Sequence, residues 1–196
     1  PMSLYPYVPS KAELLDLMMA RVLRELPATH DLQEGWRVAM EQWARDAWDF
    51  YQRHPWVLQV GMSRASLGPG EFAAYEAHMA ILDGSGLSPT EMQRTVNALA
   101  SFVRGSARSV ADAKAAERET GKSDDDWWTE RAGWLEVVAD IDWATRYPTL
   151  TRVEEEGAFE QEQQDQPYTV HEAVTSFEHG LGLVLDGVEA LIARRR

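Results

Sequence analysis

The chain contains no cysteine. That excludes disulfides, thiolate metal sites and cysteine nucleophiles together, and it fits a reducing compartment. No apolar run approaches the ~20 residues of a membrane span, and no basic, apolar and small signal pattern opens the sequence. The expectation is a cytoplasmic protein without a membrane partner. Basic residues are scarce, 19 Lys and Arg against 32 Asp and Glu, for a net charge of −13. Binding a phosphate backbone over a broad surface needs clustered cations, so any nucleic-acid contact is expected to be local. The acidity is concentrated in Asp124-Asp125-Asp126 and between Glu154 and Asp165, which read as solvated loops and a helix start rather than a metal site.

Catalytic motifs are missing too. There is no G-x-S-x-G, no P-loop and no G-x-G-x-x-G. His171-Glu172 meets Thr175 where a zinc-protease helix has its second histidine, and no glutamate is followed by a histidine at three. The expectation is no enzyme, no cofactor and no bound metal. Nor is there a convincing alternating strand pattern, so the fold class is read as all-α, with about eight helices.

What is present is a helical pattern with 44% hydrophobic residues over 196 positions, enough for a sizeable core. Ser10 and Glu13 have capping-box spacing, and Leu14, Leu15, Met18, Met19, Val22, Leu23 and Leu26 form one stripe that Pro27 ends. Asp31 and Glu34 repeat the capping spacing before a helix to about Arg53. That helix is apolar over more than half its circumference (Trp36, Met40, Trp43, Ala47, Phe50, with Trp48 and Tyr51 beside them), which implies contacts on two sides. Pro55 starts a short helix and Glu71 another. Ser88-Pro89-Thr90-Glu91 is the clearest helix start, for a helix to about Glu119 with a small-residue face at Ala98, Ser101, Gly105, Ser106 and Ser109. Trp127 to Ile141 mark a further helix. Residues from about Thr145 to Pro167 read as irregular and mobile. Thr169 and Glu172 then cap a helix whose seam, Val174, Phe177, Leu181, Val184, Val188 and Leu191, alternates at three and four, with Leu183, Leu185 and Ile192 broadening it. Gly180, Gly182 and Gly187 within it suggest close backbone contact.

Trp43, Trp56, Met62, Phe72, Tyr75, Met79 and Phe102 come from four neighbouring helices and combine apolar faces with indole or phenol donors. Core filling accounts for any one of them. As a set they favour a small-molecule pocket, because His78 lies one turn from Tyr75 and needs a partner if it is buried.

The stretch from Ser3 to Leu15, with Leu4-Tyr5-Pro6-Tyr7-Val8-Pro9 before the Ser10 cap, resembles the end of the recognition helix and the following helix of the TetR family of bacterial transcriptional regulators. Phe177-Glu178-His179-Gly180-Leu181 through Asp186-Gly187-Val188-Glu189 resembles the final helix of the branch with a tetracycline-repressor-type C-terminal domain. The likeness extends to Trp36 and the run from Pro55 to Gly105. It implies three parts: the end of a helix-turn-helix at 1–9, whose first helices precede this sequence, a connecting helix at 10–26, and an effector-binding and dimerisation domain at 27–196. It further implies a homodimer in which the helix from Ser88 and the last helix form a four-helix bundle, with Leu99, Gly105, Phe177, Leu181, Val184 and Val188 at the interface. Operator contacts would fall on Ser3, Tyr5, Tyr7 and Lys11, and operator DNA would be bound only by a protein carrying the whole helix-turn-helix. The two histidines that bind magnesium-tetracycline in this family match Pro27 and Gly61, and the glutamine contacting tetracycline matches His78. The implied effector is therefore a different, largely apolar or aromatic compound. The expected function is a ligand-responsive repressor. The rivals are a stand-alone sequestering protein and a helical enzyme using His78 as general base on a hydrophobic substrate.

Overall fold

A computed structural model of the protein describes residues 8, 10–61, 68–137, 142–159 and 166–195. Among them are eight α-helices and no strand: α1 (Lys11–Val22), α2 (Trp36–Arg53), α3 (Pro69–Leu82), α4 (Pro89–Thr120), α5 (Asp124–Val137), α6 (Trp143–Arg146), α7 (Pro148–Glu155) and α8 (Tyr168–Ala193). Two 3-10 turns, Leu23–Glu25 and Pro55–Gln59, follow α1 and α2. The all-α reading holds. The chain forms two compact units, one of Pro1–Arg108 with Ser176–Arg196, the other of Ser109–Thr175.

In the first unit α1 begins where Ser10 Oγ accepts the Glu13 N–H at 3.2 Å. The expected cap of α2 at Asp31 is not formed. Asp31 instead accepts the Gln33 N–H at 2.9 Å in a local turn, and α2 starts at Trp36 after Gly35, whose φ of 92° requires glycine. Helix α2 buries Ala39, Met40, Trp43, Ala44, Ala47, Trp48 and Phe50, more than one stripe can hold. Trp48 stacks on Phe177 of α8 with ring centroids 4.0 Å apart, and Phe102 of α4 lies beyond at 6.0 Å from Phe177. Gly180 lets this stack close, because a Cβ there would come within 2.8 Å of the Phe102 ring. The other two glycines, Gly182 and Gly187, have open space where a Cβ would sit, so packing within the single chain accounts for Gly180 alone. At the rim Arg37 pairs with Asp186 at 2.6 Å and Glu189 at 3.1 Å, and Arg45 with Glu178 at 3.2 Å.

The α4 start is a complete capping box. Ser88 Oγ accepts the Glu91 N–H at 3.4 Å and the Glu91 carboxylate accepts the Ser88 N–H at 2.9 Å. The same carboxylate takes Arg195 at 2.6 Å. The Ser88 hydroxyl first, then Arg195, holds the Glu91 carboxyl down at about 2. On α8 the inward face runs Phe177, Leu181, Leu185, Val188 and Ile192, all buried. Leu185 and Ile192, expected to broaden the seam, lie at its centre: a helix of 3.6 residues per turn carries the face from Leu181 to Leu185 rather than to Val184, which is half-buried, while Leu183, expected beside them, is 60% exposed.

In the second unit Ser123 Oγ accepts the Asp126 N–H at 3.1 Å and starts α5. Asp124 accepts both the backbone N–H and the hydroxyl of Thr169 at 3.1 Å, so a carboxylate from α5 caps α8 where a Thr169–Glu172 box was expected. The stretch expected to be irregular holds the end of α6 and all of α7, the latter opened by Pro148 in its first turn.

Gly180→Ala is expected to lower stability by about 1–3 kcal/mol in urea unfolding, because the new Cβ would meet the Phe102 ring at 2.8 Å and push it off its packing on Phe177. Gly133→Ala on α5, where nothing approaches, should raise stability by up to ~1 kcal/mol. Because the Glu91 value is lowered, its contribution is complete above pH 4.5 and is lost as the pH falls towards 2. Glu91→Gln should remove that part of the acid dependence of stability.

Candidate ligand site

The second face of α2 looks onto a cavity of about 420 Å³ in the first unit. Trp43, Ala47, Phe50 and Tyr51 of α2 form one wall and Glu71, Phe72, Ala74, Tyr75 and His78 of α3 a second. Val96, Asn97 and Ala100 of α4 form a third, Val57 closes one end, and Met19, Leu23 and Leu26 bring in α1 and the turn after it. Met19, Phe50 and Val57 form a buried cluster against which Val22, Leu23, Leu26, Tyr51, Trp56 and Val60 pack, so one end of the cavity is the joint between α1 and α2.

Of the side chains expected to bind a ligand, Trp43, Phe72, Tyr75 and His78 line this cavity. Trp56 packs behind it on the Met19 cluster, and Met79, one position round α3 from His78, is outside the lining. Phe102 lies on another face of α4 from Val96, Asn97 and Ala100 and belongs to the Trp48–Phe177 stack. Met62 lies outside the described residues. Unanticipated were the α1 wall, Tyr51, and the polar residues Glu71 and Asn97. The spacing of Val96, Asn97 and Ala100 on one helical face carried a signal for the α4 wall.

Of the residues expected at a dimer interface, Leu99 (0% exposed), Phe177 (1%), Leu181 (2%) and Val188 (7%) are buried within the single chain. Gly105 is exposed and Val184 half-buried. Lys11 is exposed in the first turn of α1, while Ser3, Tyr5 and Tyr7 lie outside the described residues.

His78 is 8% exposed, and neither ring nitrogen has a hydrogen-bond partner among the described residues. Trp43 and Tyr75 stand edge-on to its ring, at centroid distances of 4.9 and 5.1 Å. Burial first, then the charge of nearby His30, pushes the imidazole down to about 4, so it is neutral at physiological pH. His30 bonds Asp46 at 2.9 Å. Behind the wall Arg104 donates to the carbonyls of Val57, Leu58 and Val60 at 3.3, 3.0 and 2.8 Å and sits 5.9 Å from the Tyr51 ring centroid. It thereby fixes the turn that holds Val57.

A helical body with an aromatic-walled cavity and a single neutral imidazole in its wall is a small-molecule binding domain in form. Comparison with known proteins gives the family. Residues 27–192 match the tetracyclin repressor-like C-terminal domain, and the whole chain is 38% identical to the HTH-type transcriptional repressor DrrR1 of Streptomyces coeruleorubidus, covering 67% of it. The chain belongs to the TetR family of transcriptional regulators. Its fold is similar to that of the TetR family protein ActR of Streptomyces coelicolor in complex with actinorhodin, with a TM-score of 0.70 at 22% identity over 97% of this chain and 81% of that one. For ActR in complex with (S)-DNPA the TM-score is 0.67 at 23% identity, over 96% of this chain and 80% of that one.

The lowered His78 value makes a stability prediction. The neutral ring contributes fully above pH 6.5, its ordinary value, and the contribution is lost as the pH falls towards 4, because the unfolded chain takes up the proton first. His78→Leu should flatten the stability profile between pH 6.5 and 4, by about 3 kcal/mol at most, in urea titrations at stepped pH.

Proposed function

We propose that this chain is the sensing part of a ligand-responsive transcriptional repressor that binds operator DNA as a homodimer and is released by a small, largely apolar or aromatic effector. In this reading residues 1–9 end a helix-turn-helix, 10–26 connect it, and 27–196 bind effector and dimerise. The observation that carries it is the cavity wall shared between α1 and the body. Met19, Leu23 and Leu26 face the same space as Trp43, Tyr75 and His78, so an occupant touches the connecting helix directly. The 38% identity to a repressor supports the function, and the complexes of ActR with actinorhodin and (S)-DNPA, a structural likeness only, give a small-molecule effector a precedent. No turnover is expected.

For the dimer the available surface is the outer face of α4 and α8 at Gly105, Val184, Leu183 and Gly187. Small residues there permit close helix approach, and Leu183, 60% exposed, is its largest apolar side chain. Leu183→Glu should leave the unfolding of the single chain little changed while shifting the sedimenting species from dimer to monomer at micromolar concentration. An unchanged dimer would remove this face from the proposal.

The function itself is tested with the full-length protein that carries this chain. It should retard DNA from its own promoter region in a salt-dependent manner, and a cavity ligand should release that DNA. Met19→Trp, which fills the α1 wall, should weaken ligand-driven release at least tenfold while DNA is still bound. Failure to bind DNA at any salt concentration would overturn the repressor reading.

A further inference from the structure

Among the described residues that line the cavity two are exposed, Phe72 in the first turn of α3 and Asn97 on α4. Exposure falls away from both in steps. Along α3 it drops from Phe72, 60% exposed, through half-buried Tyr75 to buried His78, and along α4 from Asn97 to half-buried Ala100. Residues three apart are neighbours on a helix surface, so Phe72, Tyr75 and His78 mark a path from water into the interior. The other walls are closed: Trp43, Ala47 and Phe50 of α2 are buried, and the cluster of Met19, Phe50 and Val57 seals the α1 end. The cavity therefore opens between the start of α3 and the Asn97 stretch of α4, with its floor on α2. Phe72 belongs to the lining yet keeps most of its surface in water, which puts its ring in the mouth rather than in the wall. An exposed side chain changes rotamer within picoseconds to nanoseconds, so this ring can clear the opening without any shift of α3.

We propose that ligands enter the cavity between α3 and α4, and that Phe72 gates the passage, its ring standing across the mouth and swinging aside to admit an apolar or aromatic compound. This rests on the reading of the cavity as a ligand site and adds to it the route and the residue that controls traffic along it. A gate stands in the path and in neither end state, so it slows entry and exit by the same factor and leaves affinity alone. A wall contact acts on the bound state, and its loss speeds exit only.

The test uses the full chain and N-phenyl-1-naphthylamine, an uncharged aromatic probe that fluoresces on leaving water, in stopped-flow mixing. Phe72→Ala should speed association and dissociation alike, each by at least about threefold, while the Kd changes by less than about twofold. Asn97→Trp, which narrows the mouth from the opposite side at an exposed position, should slow both. Faster dissociation alone in Phe72→Ala, with weaker binding, makes Phe72 a wall and overturns the gate, and so do rates that neither variant changes; both results leave the cavity's function standing. Met19→Trp, which fills the cavity from α1, should abolish the signal. A wild-type chain that does not bind the probe, or a signal that survives in Met19→Trp, overturns the cavity reading together with this one.

Discussion

Helix α2 has two faces that cannot face water, and the first unit is arranged to cover both. One face ends in the Trp48–Phe177 stack at 4.0 Å, which holds α8, and through Phe102 also α4, against it. The other presents Trp43, Ala47, Phe50 and Tyr51, and nothing fills the space before them completely. The difference is one of shape. On the α8 side Gly180 removes the last obstacle to ring stacking, whereas on the α3 side Tyr75 and His78 stand perpendicular to their neighbours and leave a gap. Packing of interiors is normally near crystal density. A half-open cavity of about 420 Å³ bordered by aromatic side chains on a central helix departs from that density.

The charge distribution follows the same division. The chain is strongly acidic, yet several of its arginines are tied to the scaffold: Arg37 and Arg45 to the α8 carboxylates, Arg195 to Glu91, and Arg104 to the carbonyls of Val57, Leu58 and Val60. Exposed pairs of this kind are individually worth little. Arg104 differs because it is half-buried and meets the end of the 3-10 turn, where several backbone acceptors converge. Through Val57 and Tyr51 it joins the cavity wall to α4, the helix that also supplies Val96, Asn97 and Ala100.

Local chemistry in the sequence was legible and distant chemistry was not. Ser88, Pro89 and Glu91 specify their helix start by contacts within four residues, and the structure follows them. Asp31 has the same spacing to Glu34 but satisfies a nearer backbone N–H, since an Asp side chain can close a turn as readily as it caps a helix. The cap of α8 could not be read locally, because Asp124 lies 45 residues from Thr169. The cavity shows the same contrast. Aromatics and a histidine on α2 and α3 mark themselves by type, so Trp43, Phe72, Tyr75 and His78 were found. Met19, Leu23 and Leu26 look like any buried stripe until the element opposite is known. Glu71 and Asn97 look like surface residues. Phe102 was included because it is large and apolar, though its helical phase already set it apart from Val96 and Ala100.

That α1 wall bears most on mechanism. Helix α1 buries only Met19 fully, and leaves Leu17 59% and Met18 40% exposed. Its other attachments are small. Gly70 of α3 sits so close that a Cβ would lie 3.3 Å from the Ala20 carbonyl, and Glu25 in the turn accepts His54 at 2.7 Å, a bond that holds the Glu25 carboxyl below its usual range. An element with few buried contacts is the one whose position costs least to change. Among the described residues α1 is thus lightly held, and it is also a wall of the cavity. In the proposed reading a ligand that presses on Met19 and Leu23 needs only a small difference in affinity between two α1 positions to move the helix, and the size of that difference limits the response.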